Sequence, residues 1–428
     1  MIITLKFVIL IKKKMKTNTT FLFTLLLTIT FLHSQEKKDF VRSSLHLHLV
    51  DDFSFENGDY VLKSYEKFDF PENYNNHTID LKKIKLSEYE LTEEEKKENG
   101  KKDNLLGSIV KESVNESTGG LIKIQDNSMV KLQLDKYIDS TKIALRLVKK
   151  WWNIDEEGNY NKLLISKRSL QTKSTELSAL EGSSGTGSID VFNKLINNTF
   201  IVFTRLYYVS NEAAAEVVRQ AAYSAAEALP FGVELAKKGA DKIYKKTSEG
   251  YSVWTTAWLY QLDWNQEVFN LFVTSIENNK INFEKLDSMD FNLNFLGQQK
   301  ATSLVTFSLK KEDKGRSEQD VFDLSTVRNM SKVLVKLQKN YDVFKPIFPL
   351  KDGFSMGAGI KEGIEGGETF EVLETKNGEY NRIGTMKVDG KKVWDNSWTG
   401  QDIEPGLTYF KKGSKKYIPG IHFVRFVK

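Results

Sequence analysis

The chain has 428 residues, with 62 Lys and Arg against 57 Asp and Glu, and the five lysines of residues 1–35 account for the whole basic excess. The remainder is formally neutral, which excludes the basic folded surface that counterion-release binding to nucleic acid requires. A content of 40% hydrophobic and 12% aromatic residues excludes wholesale disorder, and the absence of cysteine removes disulfides, thiol catalysis, iron–sulfur clusters, cysteine zinc sites and a lipoprotein anchor together.

Lys12, Lys13, Lys14 and Lys16 precede an apolar run from Phe21 to Leu32, followed by Ser34, Gln35 and the charged Glu36, Lys37 and Lys38. A basic segment, a short apolar segment and a small residue at the cleavage point define a signal peptide over residues 1–34, with Met15 as a sufficient start. The run is too short for a stable membrane span. Its leaving end resembles leaders of secreted proteins from Bacteroidetes-type bacteria. No later apolar stretch has membrane length, so the mature chain is expected to be exported to the periplasm or the outer surface of the envelope, without a transmembrane segment and with at most peripheral membrane contact.

Residues 35–135 read as a strand-rich region. Leu45, Leu47 and Leu49 alternate with His46 and His48 as on a half-buried strand, which turns the histidines to solvent. Thr92 to Asp103 is a Glu/Lys run expected as a solvated loop or helix end. An α/β body is expected over 136–350. Ile143, Ala144, Leu147, Val148 and Trp151 recur at helical spacing, with Asp139 or Ser140 as the cap. Leu163 to Ser166 reads as a strand, Gly182 to Gly187 as a linker, and Ile189, Phe192, Leu195 and Ile196 as a helix. Thr199 to Val209 is a buried strand.

Glu212 to Lys246 reads as two helices or one kinked at Pro230. Tyr251 to Trp264 is a long strand with Trp254, Trp258, Tyr260, Leu262 and Trp264 on one face and Val253, Ala257 and Leu259 on the other; Ala301 to Leu309 is a further strand. Asp323 to Phe344 carries a stripe of Val327, Met330, Leu334, Leu337, Tyr341 and Phe344, a helix stopped by Pro346. In residues 351–428, Phe370 to Leu373, Ile383 to Val388, Lys392 to Trp394 and His422 to Val427 are short strands between glycine turns, the spacing of a small closed barrel. The fold class is therefore α/β (α+β): a mixed-sheet body with helices, then a small C-terminal SH3-like β-barrel.

Two stretches carry a resemblance. Met356-Gly357-Ala358-Gly359-Ile360-Lys361-Glu362-Gly363-Ile364-Glu365-Gly366-Gly367-Glu368-Thr369-Phe370-Glu371-Val372, continued by Arg382-Ile383-Gly384-Thr385-Met386-Lys387-Val388, is similar to the small C-terminal barrel of flagellar assembly protein T and related envelope factors. Asn198 to Arg205 and Tyr251 to Thr256 resemble segments of secreted proteins from Bacteroidetes-type bacteria. The resemblance implies an envelope location and the barrel shape, and brings no catalytic residue.

The chemistry-bearing motifs are sparse. His46 and His48 supply two ligands, short of a metal site, and His33, His77 and His422 have no partner spacing. Ser-x-x-Lys occurs at Ser64–Lys67 and Ser308–Lys311, without the Ser-x-Asn and Lys-Thr-Gly that accompany it in penicillin-binding enzymes, and is read as chance. Gly182 to Ser188 lacks the Gly-Lys-Ser/Thr of a phosphate loop, and Gly357, Gly359 and Gly363 read as turn glycines. Asp139-Ser140-Thr141 and Asp287-Ser288-Met289 fit a pattern for O-linked glycan attachment, the first fitting a helix cap better. No carboxylate pair stands out as acid and base, and neither cofactor nor metal is expected. Trp394, Trp398, Tyr409 and Phe410 form the candidate binding set, flat rings on which glycans or peptides stack. The leading expectation is a non-enzymatic exported binding or assembly module contacting envelope proteins or cell-wall glycan. The alternative is a secreted hydrolase whose site assembles only in three dimensions, marked by a pocket of convergent titratable groups. A membrane-active Ala213–Lys246 ranks third, because a tertiary role is expected for that segment.

Overall fold

The computed structural model describes residues 42–51, 58–100, 127–170, 186–227, 231–248, 251–305, 317–376, 379–397, 405–413, 417–419 and 421–427. The leader expected at 1–34, Pro230, Ser308–Lys311, Trp398 and the Ser/Gly stretch before Thr186 lie outside them.

The first described element is β1 (Ser44–Val50), buried at every residue except Leu47. It is followed by α1 (Gly58–Glu66), β2 (Asn75–Asn76), β3 (Lys83–Ile84) and α2 (Glu93–Gly100). Then come α3 (Asn127–Thr141), α4 (Ile143–Trp151), α5 (Leu163–Leu170), α6 (Thr186–Asn197) and β4 (Thr199–Ser210). The helices α7 (Asn211–Glu227) and α8 (Val233–Thr247) separate β4 from β5 (Tyr251–Leu262). Next are α9 (Gln266–Thr274), the short β6 (Ile276–Glu277) and β7 (Lys280–Ile281), α10 (Phe283–Asp287), β8 (Leu293–Val305) and α11 (Glu318–Asn340).

One mixed sheet runs β2-β1-β4-β5-β8, with β3 also on β1. β1 lies parallel to β2, β3 and β4, while β4, β5 and β8 are antiparallel. Alternation sends successive residues to opposite faces. Val50, Ile201, Phe203, Trp258 and Tyr260 pack under Leu134, Tyr137 and Ile138 of α3 and Ile143 and Leu147 of α4. On the other face Leu45, Phe200, Val202, Ala257 and Leu259 meet Val333, Leu334 and Leu337 of α11. Helices therefore cover both faces of β1, which is why the alternation of Leu and His does not mark a solvent side: His46 and His48 are fully buried, contrary to the sequence expectation.

Other local readings change for identifiable reasons. The expected cap at Asp139 or Ser140 lies in the last turn of α3, where the Ser140 hydroxyl donates back to Tyr137 O at 3.2 Å. The chain breaks instead at Lys142, whose φ of 50° separates α3 from α4. The expected boundary at 135/136 thus falls inside α3. Leu163 to Ser166 is helical, started by Asn161 Oδ1 accepting the Leu163 N–H at 3.1 Å. The helix expected from Asp323 begins one turn earlier, where Ser317 and Asp320 form a reciprocal capping box.

At the open edge of the sheet, Lys336 Nζ donates to Lys300 O at 2.6 Å and the Tyr341 hydroxyl to Gln298 O at 3.3 Å. The approach of Tyr341 depends on Gly297, with φ of 150°; a Cβ there would lie 2.0 Å from the Tyr341 hydroxyl.

The C-terminal strands are β9 (Phe348–Pro349), β10 (Ser355–Met356), β11 (Thr369–Lys376), β12 (Glu379–Lys387), β13 (Thr408–Tyr409) and β14 (His422–Phe426). They form an antiparallel sheet β12-β11-β14-β9 and a separate β10–β13 ladder, joined by a Val388–Phe410 bridge. Among the described residues no closed barrel forms. Lys392 to Trp394, expected as a strand, is a loop: the Lys392 N–H turns back to Asp389 O at 2.9 Å and the Trp394 N–H goes to Thr408 Oγ1 at 3.0 Å. Phe348, Phe370, Val372, Met386, Val388 and Val424 fill the core, with Ile383 only half-buried beside it. Lys339 to Glu368 at 2.5 Å and Lys361 to Asp69 at 2.8 Å tie this part to the body.

Candidate functional site

The αL break at Lys142 bends α3 away from α4 beside the β5–β8 edge, and the opening is a cavity of about 420 Å³. Helical spacing sets Asp135, Ile138 and Asp139 of α3 on one face, α4 contributes Leu145, and β5 contributes Tyr260. The segment from Asp287 to Leu293, between α10 and β8, supplies the opposite wall with Asp290 and Phe291.

Two of the four carboxylates are engaged. Asp135 accepts the Tyr260 hydroxyl at 2.8 Å and pairs with Lys131 at 2.6 Å. Asp287 pairs with Lys149 at 3.2 Å, and its backbone carbonyl accepts Lys142 Nζ at 2.7 Å. Among the described residues, no base or donor meets the carboxylates of Asp139 and Asp290. Partial burial, and then the charge of Asp135, raise the Asp139 carboxyl above its ordinary range. Burial and the same Asp135 charge raise the Tyr260 phenol, so it stays a donor at any physiological pH. Two unengaged acceptors beside the Tyr260 and Phe291 rings suit a neutral ligand rich in hydroxyl or amine donors. Among the described residues no group of three or more His, Cys, Asp or Glu is placed to hold a metal ion.

The aromatic set predicted from sequence is dispersed. Phe410 is 3% exposed, its ring 5.6 Å from Phe370 in the C-terminal core. Trp394 is half-buried against Gly406, where a Cβ would lie 2.5 Å from the indole. Tyr409 is 37% exposed, with Lys392 Nζ 5.6 Å from the ring centre, and Trp398 lies outside the described residues.

The histidines join a buried polar cluster. His46 Nε2 and His48 Nδ1 are 3.3 Å apart. His77 meets Leu147 O through Nε2 at 3.0 Å and receives Arg168 Nη1 on Nδ1 at 2.7 Å, which fixes the neutral tautomer. Arg168 also donates to Ser44 Oγ at 2.9 Å and Asn76 O at 2.7 Å, its guanidinium 4.5 Å over Trp151. Burial lowers all three histidine pKa values, that of His46 to about 4. Burial likewise brings Arg168 down to about 10.

Ser64 and Lys67 both reach Asp323, at 2.6 and 2.8 Å, and Gln319 donates to it at 2.6 Å. Burial opposes ionisation of Asp323, but these donors outweigh it and lower the pKa. Ser64 is fully buried, so its spacing to Lys67 serves a pin between α1 and α11 rather than a nucleophile.

Sequence reading missed the acidic cavity. Its one signal is Asp135 and Asp139 at i, i+4 with Asp287 and Asp290 at i, i+3, pairs that become neighbours only because two distant segments meet. No family model, curated protein or solved structure matches the chain.

Proposed function

We propose that the protein is a non-enzymatic exported binding or assembly module of the cell envelope, contacting envelope proteins or cell-wall glycan, with the acidic cavity as its glycan subsite. The observation that carries this reading is the pairing of two unengaged carboxylates, Asp139 and Asp290, with the Tyr260 and Phe291 rings in one cavity of about 420 Å³. That volume lies in the range of small-ligand pockets, and carboxylates beside aromatic faces match the hydroxyls and apolar ring faces of a sugar. The leader at 1–34 supports export. In this reading the C-terminal module, similar in its glycine-punctuated strands to the SH3-like barrel of flagellar assembly protein T, contacts envelope proteins, with Tyr409 as its exposed ring.

Calorimetric titration of the mature protein with soluble cell-wall fragments tests the proposal. Binding should weaken at least tenfold in D139N/D290N and persist in Y409A. Absence of binding, or binding unaffected by the double variant, overturns the assignment.

One observation favours the runner-up, a secreted hydrolase: burial, and then the neighbouring Asp135, raise the Asp139 carboxyl, the direction a general acid needs. Release of soluble fragments from purified cell walls, abolished in D139N, would replace the binding reading with the hydrolytic one.

A further inference from the structure

The helices α7 and α8 form a hairpin inserted between β4 and β5, whose ladder closes at Ser210 and Tyr251 immediately before it. The inner face of the hairpin is packed by its own residues. Ala226 and Ala240 are buried, Arg219 lies 4.5 Å over the Tyr244 ring, and the Tyr223 hydroxyl donates to Asp241. Glu227 pairs with Lys237 at 2.7 Å and Glu216 with Arg219 at 2.8 Å. A 15-residue helix such as α8 spans about 22 Å, so its first turn stands well away from the sheet end.

Leu235, 77% exposed, lies in that first turn, and Phe231, 86% exposed, lies just before the helix at its Gly232 cap; they are the two most exposed large apolar side chains among the described residues. At about 100° per residue, Leu235, Lys238, Lys242 and Lys245 fall within an arc of about 80° on α8. The three lysines are exposed and follow the apolar tip toward the body. Of the acids on α8, Asp241 is engaged with Tyr223 and Arg219, leaving Glu234 beside the lysine stripe. An apolar tip followed by a cationic face matches a layer that is apolar within and anionic at its surface.

We propose that the α7–α8 hairpin docks on an anionic lipid bilayer, with Phe231 and Leu235 entering the headgroup boundary and Lys238, Lys242 and Lys245 lying against acidic headgroups. The proposal is independent of the cavity, which lies on other elements.

The test is co-sedimentation of the full mature chain with vesicles of phosphatidylcholine alone and with 30% phosphatidylglycerol. The expected result is binding to the anionic vesicles only, reduced about tenfold or more both in F231S/L235S and in K238E/K242E, with the circular dichroism of each variant unchanged. No binding of wild type to anionic vesicles, or binding by either variant as tight as that of wild type, overturns it. Light scattering provides a second readout: a concentration-dependent dimer that dissociates in F231S/L235S would show that a second copy of the chain covers the tip, and would overturn it too.

Discussion

Acidification from pH 7 to pH 5.5 should destabilise the fold through three histidines that it keeps neutral. His46, His48 and His77 are buried with lowered pKa values, that of His46 about 4. Below about 6.5 the unfolded chain binds protons that the fold refuses, so stability falls as pH falls through this window. Each such histidine costs the folded state about 1.2 kcal/mol between pH 7 and pH 5.5, close to 4 kcal/mol for the three. That is a large part of a typical domain's stability of about 5–15 kcal/mol. Geometry supports the refusal: a proton on His77 Nδ1 would face Arg168 Nη1 at 2.7 Å, and protonating both His46 and His48 would set two imidazolium N–H groups against each other at 3.3 Å. Carboxylates that the fold holds low, Asp323 among them, titrate below this window. The assay is urea unfolding followed by tryptophan fluorescence at half-unit pH steps. His46→Gln should lower the baseline but remove about a third of the pH slope. A wild-type loss below about 1 kcal/mol, or an unchanged slope in the variant, would refute the reasoning.

Asp323→Ala removes the carboxylate that Ser64, Lys67 and Gln319 share, leaving the Ser64 hydroxyl only the Tyr60 carbonyl, and should cost about 2–3 kcal/mol by chemical denaturation, against under about 0.5 if the pin is immaterial. Gly297→Ala combines a left-handed φ with a Cβ placed 2.0 Å from the Tyr341 hydroxyl. It should cost about 2 kcal/mol or more, and adding Tyr341→Ala should recover only the part due to the collision, as read by thermal melting. Phe370→Ala should cost about 3–5 kcal/mol and Ile383→Ala under about 1.5 kcal/mol, since the first side chain is fully buried and the second only half; the reverse order would place the strand register wrongly.

Elements with long periodic patterns were legible. Thr199 to Val209 is a strand, Tyr251 starts one that ends at Leu262, two residues short of the expected Trp264, and Val253, Ala257 and Leu259 do oppose Trp258 and Tyr260. The two-helix reading of Glu212 to Lys246 matches α7 and α8. Local pattern failed where the deciding partner is remote. Leu163 to Ser166 is too short an apolar run to separate strand from helix, and its helix is held by Arg168 reaching Ser44 and Asn76. The face of His46 depends on α3 and α4, far along the chain. Closure of the C-terminal strands turned on Lys392 to Trp394, whose N–H groups go to a turn and a threonine side chain while the Lys392 and Trp394 carbonyls accept single bonds from Tyr409 and Ile360, too few for a ladder. The aromatic set was chosen for composition, and packing sends Phe410 inward.

The insertion between β4 and β5 has a kinetic consequence. Pairing Ser210 with Tyr251 across a flexible stretch of residues 211–250 would cost about 2 kcal/mol more chain-closure entropy than a four-residue turn. Helical hairpins assemble from contacts close in sequence, and such contacts form early. Once α7 and α8 have paired through Arg219, Tyr223, Asp241 and Tyr244, the two strand ends leave the same end of a stiff rod. The hairpin therefore serves as an oversized β-turn, and the β4–β5 ladder can zip from its base toward Phe200 and Gln261.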